Sequence, residues 1–95
     1  MVTAEKCGVV PELARFYGIV VRMYFDEHPP AHFHAYYGEH DAAFRLDTLQ
    51  VARGSLPSRA LRLVVEWALA HEAELRENWR RVETGEPLLP IPPLE

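Results

Sequence analysis

From Ser58 to Thr84 the chain contains neither glycine nor proline, and this uninterrupted span most constrains what it can fold into. Pro57 just before it suits a first helical turn, and Gly85 just after it suits a helix end. Inside the span Leu61, Val65, Ala68, Leu75, Trp79 and Val82 recur at spacings of three, four or seven, which lays an apolar stripe along one helical face. Only Glu72 puts a charge on that stripe. One straight helix here would be about 40 Å long at ~1.5 Å per residue, long for so small a domain, so a bend near His71-Glu72 into two helices is the alternative to a single rod.

The half before this span reads as strands. Arg15 to Asp26, through Phe16-Tyr17-Gly18-Ile19-Val20-Val21-Arg22-Met23-Tyr24-Phe25, is rich in β-branched and aromatic residues and predicts one strand covered on both faces. Asp26-Glu27-His28-Pro29-Pro30 must then be a loop, because proline donates no ladder hydrogen bond and fixes its own φ. His32 to Tyr37 resumes a strand, Gly38-Glu39-His40-Asp41 reads as a tight turn, and Ala42 to Leu46 reads as a third strand. After a turn at Asp47-Thr48, Leu49 to Ala52 suggests a short fourth strand, and Gly54 a break in the sheet. The expected class is α+β: a three- or four-stranded antiparallel meander with a long C-terminal helix or helical hairpin packed on one face.

At the two ends the sequence is less periodic. Residues 1–12 mix small, charged and apolar types and are expected to be a weakly ordered extension before a single domain over 13–95. The tail Pro87-Leu88-Leu89-Pro90-Ile91-Pro92-Pro93-Leu94 suits extended, polyproline-like geometry, either packing back on the domain or serving as a Pro-rich ligand for a partner groove.

Composition narrows the function classes. Ten Lys and Arg stand against 14 Asp and Glu, a formal net charge of -4, which disfavours a dedicated nucleic-acid binder. The single cysteine, Cys7, rules out an intramolecular disulfide and any zinc site built from several thiolates. Met1 to Gly8 shows no basic start followed by a long apolar run, so neither a signal peptide nor a membrane anchor is expected, and the expected compartment is the cytoplasm.

Three segments together, Arg15-Phe16-Tyr17-Gly18-Ile19-Val20, Asp26-Glu27-His28-Pro29-Pro30-Ala31-His32-Phe33-His34-Ala35 and Gly54-Ser55-Leu56-Pro57 through Glu66-Trp67-Ala68, followed by Glu77-Asn78-Trp79, resemble the bacterial domain-of-unknown-function 4160 family. The resemblance runs from about Leu13 to Leu94. It departs from the family pattern where His28 meets Pro29 directly, without an intervening residue such as Asn, and where Ala31 precedes His32. It implies a small partner encoded beside another short protein, in arrangements resembling toxin-antitoxin modules, and carries over no catalytic residue.

Histidine clustering is the main chemical signal. His28, His32 and His34 fall within seven positions, with His40 close behind. On a strand His32, His34 and Tyr36 share one face, while Phe33, Ala35 and Tyr37 share the other. The strand pair joined by His28 from the loop supplies three nitrogens to a divalent transition metal such as zinc, with Asp26, Glu27 or Asp41 as a fourth ligand or a support for an imidazole N–H. A hydrogen-bonded, ion-free hairpin suits the same residues and narrowly leads the metal reading, with acid–base chemistry on RNA, His32 and His34 dividing the base and acid roles, behind both. Arg59 and Arg62, three apart near the helix start, are candidates for a phosphate contact or for a solvated face. Glu66 and His71, five apart, do not complete a zinc-protease helix, which leaves His71 as a bend or interface residue.

The leading expectation is a small protein-interaction module, a homodimer or one half of a toxin-antitoxin-like pair, because the exposed sheet face and edges need cover. The alternatives are a metal-binding protein or metal-dependent hydrolase using His28, His32 and His34, and a nucleic-acid-binding regulator or ribonuclease.

Overall fold

The computed structural model describes residues 12–25 and 27–95. The extension over 1–11, Cys7 and Asp26 lie outside the described residues. Five strands, β1 (Glu12–Phe16), β2 (Ile19–Arg22), β3 (His32–Tyr37), β4 (His40–Arg45) and β5 (Val51–Ser55), precede two helices, α1 (Ser58–Ala70) and α2 (Glu72–Thr84). The sheet is an antiparallel meander in the order β1-β2-β3-β4-β5. The α+β class and the strands-then-helices order therefore hold, and the strand count is five rather than three or four.

The extra strand comes from the segment expected to be continuous. Tyr17 and Gly18 both take positive φ, 50° and 81°, the signature of a two-residue type I′ hairpin turn, and Phe16 pairs directly with Ile19. Tyrosine is an unusual first residue for that turn, so a run of β-formers conceals a reversal. The second tight hairpin is also shorter than expected: Gly38 and Glu39 alone form it, Tyr37 pairs with His40, and Asp41 becomes a strand residue.

Alternation sorts the sheet into two faces. Phe16, Ile19, Val21, Phe33, Ala35, Ala42 and Phe44 are buried on the helix-covered face. Phe33 stacks on Phe44 at 5.2 Å and 3°, while Trp67 of α1 meets both Phe16 and Phe33 edge-on or tilted. In α1 the deepest row is Ala60, Val64, Trp67 and Ala68, so Leu61 and Val65 sit at the flank of the buried face rather than along its centre.

The two-helix alternative is the one realised. The chain leaves the helix at His71, at φ -130° and ψ 34°, where the imidazole packs on Trp67 and Nδ1 lies 3.0 Å from Glu74 Oε1. Gly85 closes α2 in the left-handed conformation at φ 79°. Arg80 and Arg81 pair with Glu77 and Glu86 along the outer face, which compensates the basic cluster of α2.

The proline-rich tail packs back on the domain. Asn78, buried to 1% exposure, donates through Nδ2 to the Leu89 carbonyl at 2.9 Å and accepts from the Leu89 N–H at 2.8 Å, as a neighbouring strand would. Trp67 Nε1 donates to the Pro92 carbonyl, and the Ile91 N–H donates to Leu13 on the edge strand β1. Replacing Asn78 with Ala leaves both Leu89 groups unpaired, with an expected loss of about 2–4 kcal/mol. A urea midpoint within error of the parent's would show that the tail is held by its apolar side chains alone.

Candidate functional site

On the sheet face opposite Phe33 and Ala35, β3 presents His32, His34 and Tyr36. The cross-strand register fixes their neighbours. Arg22, His34, Ala43 and Arg53 form one row across β2, β3, β4 and β5, His32 faces Arg45, and Tyr36 faces Asp41. The small Ala43 side chain floors a cavity of about 450 Å³ lined by His28, Glu27, His32, His34, Asp41, Arg45 and Arg53, among others.

At its inner wall three side chains converge. Among the described residues Glu27, His32 and His34 form the group whose possible ligand atoms all lie within 4.8 Å of one another. His32 Nδ1 lies 2.8 Å from the Pro30 carbonyl, which can only accept, so that nitrogen carries the proton of the contact. In the neutral ring this aims the lone pair of Nε2 at Glu27 Oε1, 2.6 Å away. Two acceptors at that distance repel unless a proton or a metal ion lies between them. His34 Nε2 lies 3.4 Å from Glu27 Oε2, close enough for an ion pair, yet the atom is buried and makes no hydrogen bond.

The surroundings keep His34 neutral. Burial pushes its pKa below the ordinary histidine value, with the Glu27 carboxylate pulling upward and the charges of His32 and Arg53 adding to the depression. The ring is held by aromatic neighbours, Tyr24 edge-on at 5.0 Å, Tyr36 stacked at 6.5 Å and His32 at 5.2 Å. Tyr24 and Tyr36 join hydroxyls at 2.5 Å, and burial, then that contact, raises the Tyr36 phenol above its usual range. Trp79 of α2 closes on His32 at 5.4 Å, tying the site to the helical layer.

The expected site residues are partly gathered. His32 and His34 converge as the strand alternation requires. His28 is exposed and lines the same cavity, outside the tight group, whereas the Glu27 carboxylate lies within it, 2.6 Å from His32 Nε2 and 3.4 Å from His34 Nε2. Asp41 lines the cavity from β4. Arg59 and Arg62 are exposed on the first turns of α1 and do not line it. Arg45 and Arg53 do, and sequence reasoning has no signal for them, because their positions depend on how β4 and β5 pair. Gly54 belongs to β5 rather than ending the sheet: at φ 78° it lets the chain pass so close to β4 that a Cβ would stand 2.2 Å from the Asp41 carbonyl oxygen.

The family model described as Domain of unknown function (DUF4160) matches residues 18–80. The chain belongs to this family. The match takes in β2 through most of α2, and so the whole histidine hairpin, but is narrower than the Leu13 to Leu94 span read from the sequence. No curated protein and no solved structure matches the chain. Among the described residues no helix is long and apolar enough to cross a membrane.

Gly54→Ala tests the β4–β5 contact that shapes the cavity. The clash and the left-handed φ together should cost roughly 1–3 kcal/mol or more. An unchanged melting temperature would mean that β5 can withdraw from β4 at no cost.

Proposed function

We propose that this chain binds a divalent metal ion through Glu27, His32 and His34, and that the bound ion is its working centre. The observation that carries the reading is the convergence of Glu27, His32 Nε2 and the buried His34 Nε2, which makes no hydrogen bond, with their possible ligand atoms all within 4.8 Å of one another. At metal–ligand bonds of about 2.0–2.2 Å, tetrahedral ligands stand roughly 3.3–3.6 Å apart, so the 3.4 Å between His34 and Glu27 needs no adjustment and the His32–Glu27 contact needs a slight opening. The Pro30 carbonyl already orients His32, as outer groups do for metal-bound imidazoles. Two imidazoles and one carboxylate suit Zn²⁺ or Fe²⁺ and leave positions free. The free side faces the cavity and His28, which we assign to contacts with whatever enters. A metal-bound water there would be the nucleophile of a hydrolase.

A second reading, partner binding as in a toxin-antitoxin-like pair or a homodimer, is favoured by the sheet edges. The tail hydrogen-bonds to β1, whereas β5, at the other edge of the sheet, is exposed from Val51 to Ser55 and among the described residues pairs only with β4, an edge suited to an added strand.

The deciding measurement is metal content by mass spectrometry on untagged protein, beside the His32→Ala/His34→Ala and Glu27→Gln variants. Near-stoichiometric metal in the parent is expected, with loss in the double variant and at least a tenfold weaker affinity in Glu27→Gln. Both histidines lie on the half-buried outer face, so the variants should keep the parent's circular dichroism. Metal-free parent protein that also takes up no added Zn²⁺ or Fe²⁺ would overturn the reading.

A further inference from the structure

Beside the converging trio, the cavity has an opposite wall that the metal reading leaves unused. In the row Arg22, His34, Ala43, Arg53, neighbouring strands stand about 4.8 Å apart, so Arg53 lies roughly 10 Å from His34 with only an alanine methyl between them. The gap is therefore a slot with the trio on one side and a guanidinium on the other.

The arginines at this cavity differ in one respect. Arg45 is held by Asp47 through two hydrogen bonds, at 3.0 and 2.7 Å, and its charge is already answered. Arg53 forms no ion pair among the described residues, although Asp41 lines the same cavity. An unpaired guanidinium facing a concave site presents a planar fork of donors that matches an oxyanion with two terminal oxygens. The cavity, at about 450 Å³, falls within the size range of small-ligand sites.

We infer that this slot is an oxyanion subsite, in which a phosphate or carboxylate group of the ligand bridges the metal held by Glu27, His32 and His34 and the guanidinium of Arg53. The inference rests on the metal reading. It adds the ligand's chemical class, an anion small enough to pass over Ala43, and moves the phosphate contact from Arg59 and Arg62 to Arg53. Asp41 faces the same space and disfavours a second negative group on the ligand near Tyr36, so the ligand enters with its anionic end toward Arg53.

Co²⁺ is the probe, because its visible spectrum reports both its own binding and the arrival of an anion beside it. Cobalt-loaded protein is titrated with inorganic phosphate and separately with acetate, for the parent, Arg53→Ala and Arg53→Lys. The parent should show a saturable spectral change, with phosphate or acetate binding the tighter according to which group the slot takes. Arg53→Ala should keep the cobalt spectrum and bind the anion roughly 10- to 100-fold more weakly, and Arg53→Lys should recover part of that loss. Arg53 is exposed on an edge strand, so its replacement leaves the fold intact. A cobalt spectrum indifferent to both anions, or shifted equally in Arg53→Ala, overturns the subsite and leaves the metal site standing. Absence of any cobalt spectrum in the parent overturns both.

Discussion

The pairing of Phe33 with Phe44 ties the rest of this structure together. The two rings stack on each other across β3 and β4, with Trp67 edge-on to Phe33, and match the register of the two strands. Because side chains on a strand alternate, the same register that buries Phe33 and Ala35 turns His32, His34 and Tyr36 outward as a set. A slip of one residue would carry imidazoles into the core and phenylalanine into water. Core stability and the placement of the histidines are thus one constraint, and the site is as rigid as the register that carries it.

The outer face is shaped by what is small as much as by what is charged. Ala43 opens the floor between His34 and Arg53, and Gly54 allows β5 to lie close enough to β4 for Arg53 to reach that floor. On the other side the Tyr24–Tyr36 hydroxyl pair and the ring packing around His34 keep water from solvating its nitrogen, which favours the neutral, lone-pair-bearing form. These features give the face a cavity with an inner wall and an open mouth.

Helices and tail serve this arrangement from behind. Trp67 packs under the sheet and holds the tail through Pro92, while Trp79 reaches His32 and the neighbouring Asn78 clamps Leu89. The C-terminal segment buries Ile91 in the core and is also held through its backbone by Trp67 of α1 and Asn78 of α2, a role that apolar periodicity does not announce. That is why Asn78, a buried polar residue one place from the stripe, was invisible as a structural element in the helical pattern.

The sequence by itself determined the class, the order of strands before helices, the helical span between Pro57 and Gly85, and the shared face of His32 and His34, because each follows from a local period or a local backbone restriction. It misjudged the Tyr17-Gly18 reversal, where tertiary pairing imposes positive φ on a residue that rarely adopts it, and it left Asp26, Glu27 and Asp41 undistinguished as the acid beside the two imidazoles. Only the tertiary structure decided which loop residue meets the strand pair and which arginine faces it across the cavity. The loop path after Phe25 and the β4–β5 pairing are non-local, and side chains distant in sequence meet only when the strands between them have taken their register.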